Sequence, residues 1–154
     1  VLVDPRVSFL DASLELLGID RSTRGEVPAE PGGQIVALWP KESLEHLRVT
    51  PHDLIVSCAH DAKLDMPMLT AAVTSRAGYV GSIGSRVVQH ERQQVLAQQV
   101  DAASAARHHG PAGLDLGGGD AAEIALSIVA EALAITNGRT GSPLIKQSTP
   151  IRAR

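Results

Sequence analysis

Four short apolar runs govern what this chain can fold into: "VLVDPR" from Val1, "QIVALWP" from Gln34, "DLIVSCA" from Asp53 and "AGYVG" from Ala77. Turn residues close the runs, and the last three each lead into a stretch with helical patterning. Strands that alternate with helices build βαβ units, and these assemble into a parallel, doubly wound sheet. "DLIVSCA" is apolar almost throughout, which suits a strand buried on both faces. The composition agrees: hydrophobic residues make up 44% of the chain and aromatics only 2%. Such a core is built from Val, Leu, Ile and Ala, as where helices pack on a buried sheet. The expected class is α/β, with a Rossmann-like, mostly parallel sheet.

The remaining text punctuates this frame. "STRGEVPAEPGG", from Ser22 to Gly33, reads as an exposed loop, and Pro40 stops the second strand ahead of a short helix in "KESLEHL". A helix runs through "MPMLTAAVTSR", where Pro67 is tolerable only in a first turn. Another spans about Ser85 to Ala103, with Val88, Val95, Leu96 and Val100 giving a thin apolar stripe suited to the surface. "RHHGPAGLDLGGGD" is a loop or short strand with five glycines between Gly110 and Gly119. The best helix follows, with Asp120 as N-cap and Glu123 as its capping-box partner. Ile124, Ile128, Leu133 and Ile135 supply its apolar face, and Asn137 and Gly138 end it. One domain, residues 1–142, and a flexible basic tail, residues 143–154, account for the 154 residues.

Charge and cysteine content exclude several function classes. A net charge of -3, from 17 acidic and 14 basic side chains, gives no broad attraction to nucleic acid or to an anionic membrane. The single cysteine, Cys58, rules out an internal disulfide framework, and no apolar stretch is long enough for a membrane span or a signal sequence. The expected location is the cytoplasm.

Three constellations carry chemistry. In "GYVGSIGSR", a strand ends at Gly81, and Gly84 and Ser85 open a helix. Backbone N–H groups and the positive helix end face outward there, and Arg86 can clamp a phosphate; the plain alternative is a tight strand-to-helix turn. In "AHDAKLD", His60, Asp61, Lys63 and Asp65 follow the third strand. They would line the rim of the same crevice, because ligands of open α/β sheets bind beyond the carboxyl ends of strands; the alternative is solvated loop residues and a helix cap. In "GPAGLDLGGGDAAE", glycines such as Gly113 allow close backbone approach and Asp115 offers a polar contact. The acidic cap Asp120 with Glu123 counts against phosphate at that helix end. Asp4, closing the first strand, is placed to accept from a ribose or simply to make a turn with Pro5. Cys58 with His60 two residues on reads as a buried cysteine rather than a nucleophile, and His60, Asp61, His108 and His109 show no closed metal-ligand spacing.

In this order, "VDPR" at Val3 to Arg6, "HDAKLDMPML" at His60, "YVGSIGSR" at Tyr79, and "HGPAGLDLG" followed by "AEIALSIVAEALAITNGR" resemble the Rossmann-type domain of the XdhC/CoxI family. Members are accessory proteins that mature molybdenum hydroxylases such as xanthine dehydrogenase. The resemblance implies a chaperone rather than an enzyme. It would bind the molybdenum cofactor, as molybdopterin or its dinucleotide form, work with a cysteine desulfurase, and deliver the cofactor to the apo-hydroxylase. It adds Arg6 to the expected cofactor-binding residues.

The sequence also departs from the family pattern. A glycine-containing strand-turn-helix normally precedes "VDPR", and a separate N-terminal domain carries a cysteine motif; neither is in this sequence, and "DAA" stands where a Thr-Pro pair is expected. An N-terminally truncated Rossmann sheet lacks its central strand. The expectation is therefore reduced stability or a homodimer, unless another chain supplies the missing half or the strand of "VLVDPR" pairs directly with that of "DLIVSCA". Two competing readings are an NAD(P)-binding oxidoreductase-like domain, weakened by the missing glycine fingerprint, and an inactive interaction remnant.

Overall fold

The computed structural model describes residues 2–3, 39–59 and 62–148. The elements are β1 (Leu2–Val3), α1 (Pro40–Leu47), β2 (Leu54–Ser57), α2 (Ala62–Thr74), β3 (Tyr79–Ser82), α3 (Arg86–Gln99), α4 (Ala102–Ala105), β4 (His108–His109) and α5 (Ala121–Thr136). A 3-10 turn at Leu144–Lys146 begins the stretch read as a tail, whose last residues lie outside the described set. The strand expected in "QIVALWP" also lies outside it; Pro40 sits in the first turn of α1, where its missing N–H costs no hydrogen bond.

The four strands form one parallel sheet in the order β1-β2-β3-β4. Leu54, Ile55, Val56 and Ser57 face Tyr79, Val80, Gly81 and Ser82 in register. β1 lies directly beside β2, with Leu2 opposite Val56 and Val3 opposite Ser57. This is the direct pairing of the "VLVDPR" and "DLIVSCA" strands that the sequence allowed.

Alternation along the strands sends side chains to two cores. On one side Ile55 and Val80 pack with Met68, Leu69, Ala72 and Val73 of α2 and with Leu96 of α3. On the other, Leu54, Val56 and Tyr79 pack with Ile128 and Ala132 of α5. Helices therefore cover both faces, as a Rossmann-like α/β sheet requires. Arg107 closes the far end of α2 by donating to the carbonyls of Val73 and Ser75, each at 2.6 Å, and of Ala77.

Three helix expectations need correction. α2 begins at Ala62, so Pro67 stands inside the helix rather than in its first turn, where one backbone hydrogen bond is forgone. The helix expected to run to Ala103 stops at Gln99, because Asp101 accepts from the Ser104 N–H at 2.9 Å and caps the separate helix α4. α5 has the expected capping box and ends at Asn137, but its buried residues are Ser127, Ile128 and Ala132. Ile124, Leu133 and Ile135 stay exposed, because the face carrying Ser127, Ile128 and Ala132 is the one turned to the sheet. Among the described residues, no helix is long and apolar enough to cross a membrane.

Candidate functional site

The ends of β2 and β3 sit side by side, since Ser57 and Ser82 are register partners. β2 continues through Cys58 and Ala59 toward α2, and β3 continues through Ile83, Gly84 and Ser85 into α3. The two loops thus leave the sheet at the same edge, where an open α/β sheet places its ligands.

At the mouth of the β3 loop, Ser85 caps α3 by accepting from the Val88 N–H at 3.3 Å. Ser85 O accepts from the Gln89 N–H at 3.0 Å. Gly84, Ser85, Arg86 and Val87 are all exposed. Gly84 has φ +136°, a conformation that favours glycine. Among the described residues, no backbone acceptor takes the N–H groups of Ser85, Arg86 or Val87. The exposed start of α3 therefore offers several N–H donors, the positive end of the helix dipole and the Arg86 guanidinium together. That donor set fits the oxygens of a phosphate.

Beneath this surface lies a buried polar network. Ser57 Oγ donates to Asp65 Oδ1, and Asp65 Oδ2 pairs with Arg92 Nη2. Arg92 Nη1 donates to Ser82 Oγ at 3.3 Å, and Ser82 Oγ lies 2.8 Å from Gln89 Oε1 and 2.7 Å from His108 Nε2. Gln89 is held the right way round by its Nε2, which donates to Ser82 O at 3.1 Å. The Ser82 hydroxyl donates to Gln89 Oε1 and shares a hydrogen bond with His108 Nε2, whose ring meets Gln93 Oε1 through Nδ1 at 3.4 Å. Burial first, and then the charges of Arg92 and His109, push the His108 pKa down to about 4, so the ring is neutral at pH 7. Ser82 is fully buried and its oxygen is saturated. The Ser82–His108 pair is therefore a structural contact and not a nucleophile with its base.

On the opposite face of β3, Tyr79 OH donates to Glu131 Oε2 at 2.5 Å, and the Gly113 N–H donates to the same oxygen at 2.8 Å. The Tyr79 ring stacks on His109 with centroids 4.9 Å apart. Burial first, and then the bond to Glu131, raise the Tyr79 pKa. Gly81 is part of this packing, since a Cβ there would lie 2.6 Å from Tyr79 OH.

The residues expected to form the site separate accordingly. Gly84, Ser85 and Arg86 share the exposed turn, and Lys63 is exposed on the first turn of α2. Asp65, expected at the rim, is buried and committed to Ser57 and Arg92. Gly81 lies beneath Tyr79, while Gly113, with φ +114°, is placed at the Glu131 carboxylate. Asp115 is exposed beyond it. Asp4, Arg6, His60 and Asp61 lie outside the described residues. The sequence reading does not single out Gln89, Arg92 or Glu131 and weighs His108 only as a metal ligand; the signal available for Gln89 and Arg92 is their three-residue spacing on one face of a helix leaving the glycine turn.

The family described as the XdhC Rossmann domain matches residues 1–132. Among solved structures, the chain is similar to one described as a xanthine dehydrogenase from Bacillus halodurans, with 25% identity and a TM-score of 0.53 over 75% of this chain. The match spans 31% of that protein, so this chain corresponds to a minor part of its length. No curated protein matches.

Proposed function

Because the chain belongs to the XdhC Rossmann-domain family, we propose that it binds the molybdenum cofactor and serves as an accessory domain in maturing a molybdenum hydroxylase of the xanthine dehydrogenase type. The observation that carries this reading is the exposed start of α3. The backbone donors at Ser85, Arg86 and Val87 and the Arg86 side chain gather at the edge where two strand ends meet. The cofactor is cargo, a pterin that carries a phosphate, or a pyrophosphate in its dinucleotide form. Its anionic end would lie on the α3 N-terminus, against the exposed backbone of Ser85, Arg86 and Val87. Holding and release require binding without bond making, and the saturated Ser82 oxygen is consistent with that role.

The further parts of the reading are a cysteine desulfurase partner, handover to an apo-hydroxylase and a cytoplasmic setting. The xanthine dehydrogenase description of the Bacillus halodurans protein supports the hydroxylase link.

Equilibrium titration of the molybdenum cofactor against the wild-type chain and Arg86→Ala tests the assignment. Arg86 is exposed, so its loss leaves the melting midpoint unchanged and weakens binding about tenfold, corresponding to about 1.4 kcal/mol. Equal affinity in the two proteins would remove Arg86 as a phosphate clamp.

A further inference from the structure

We infer that Arg92 is a positioning residue that sets the spacing between the two loops of the crevice from below. The inference rests on the reading that this crevice takes a phosphate. α3 turns Gln89, Arg92 and Leu96 inward, and of these only Leu96 joins the apolar core. Arg92 donates through Nη1 to Ile83 O at 2.6 Å and through Nη2 to Ala59 O at 3.2 Å. Ala59 lies just beyond the end of β2 and Ile83 just beyond the end of β3. One planar, rigid group therefore grips both loops within two residues of their strands, while Asp65 from α2 balances its charge. The fork of an arginine can hold acceptors in two fixed directions, whereas a lysine ammonium acts as a point charge.

Gly84 completes the device. A Cβ there would lie 3.1 Å from Gln89 Nε2 and 3.2 Å from Arg92 Nη1, so the glycine lets the guanidinium sit against the turn from which Ser85 and Arg86 project. Apolar residues of similar volume often match a buried ion pair for stability. They cannot hold two carbonyls at fixed positions, and the carbonyls held here begin the loops of the proposed phosphate site.

The double variant Asp65→Leu/Arg92→Met removes both charges together, so neither ion is left buried alone. Two readouts are amide hydrogen exchange and titration with inorganic pyrophosphate. The hydrogen-bonded amides around the turn, those of Ile83, Val88 and Gln89, are expected to exchange at least tenfold faster while those of β2 and β3 keep their protection. Pyrophosphate is expected to bind at least tenfold more weakly than to wild type. Arg92→Lys should fall between the two, and it carries the same readouts if the double variant does not fold. Unchanged exchange in the turn overturns the inference, as does unchanged pyrophosphate affinity once the turn has loosened. A loosened turn in the variant, beside a wild-type chain that does not bind pyrophosphate, upholds the bracket and overturns the phosphate reading.

Discussion

Asp65 on α2 and Arg92 on α3 form an ion pair whose side chains are 3% and 7% exposed, set between the register partners Ser57 and Ser82. The pair joins two helices and two strand ends at the base of the proposed crevice. Its burial makes it sensitive to the loss of one partner: Asp65→Ala strands the guanidinium and should cost about 3–5 kcal/mol in denaturant unfolding. Asp65→Leu/Arg92→Met should recover much of that. A double variant no more stable than the single one would contradict the assignment of the loss to an uncompensated charge.

His108 gives the fold a pH dependence. The unfolded chain takes up a proton on this ring near the ordinary histidine pKa of about 6.5, whereas the folded chain does so only at about 4. Stability from this group is full above the unfolded value and falls as pH drops through the window to the folded one. The ring is partly exposed, so the loss is about 2 kcal/mol rather than the full equivalent of the shift. Urea melts across that window should show the slope in wild type and a flatter profile in His108→Gln; equal slopes would assign the effect elsewhere.

Tyr79 and Glu131 fasten α5 to the opposite face of β3. Glu131→Ala leaves the buried Tyr79 hydroxyl and the Gly113 N–H without their acceptor and should destabilise the chain by about 2–3 kcal/mol. Tyr79→Phe removes donor and demand together and should cost only about 1 kcal/mol. If thermal melts reverse that order, the carboxylate is not the anchor of this contact.

Much of this was legible in the residues, because the relevant signals are local. The apolar runs predicted β2 and β3, and Asp120 with Glu123 predicted the start of α5 through reciprocal bonds within one turn. The glycine turn before α3 was visible for the same reason. The interior of the site was not. Asp65 read as a rim carboxylate because the arginine that permits its burial lies on another helix. α3 read as a surface helix because its inward residues Gln89 and Arg92 are polar, and apolar periodicity records only Leu96 among them. The break at Val100 was obscured by the good helix formers on either side, and Asp101 decided it with its own side chain.

Gly84 and Gly117 separate strain from packing, since both have positive φ, +136° and +71°, and only Gly84 has neighbours where a Cβ would point. Gly117→Ala should cost about 1 kcal/mol from conformation alone. Gly84→Ala should cost about 2–3 kcal/mol, since Gln89 and Arg92 must also give way. Equal losses in chemical denaturation would mean that Arg92 does not press on this turn.

A thermal melt of the chain with and without molybdenum cofactor, with NADPH as the comparison ligand, tests the binding assignment most directly. A ligand that prefers the native state raises the midpoint, by an amount equivalent to about 2.7 kcal/mol at a hundredfold excess over its dissociation constant. For a domain of this size that is roughly 5–10 °C. The account predicts a cooperative transition raised by the cofactor and not by NADPH. A midpoint that the cofactor leaves in place, or that NADPH raises as far, would contradict it.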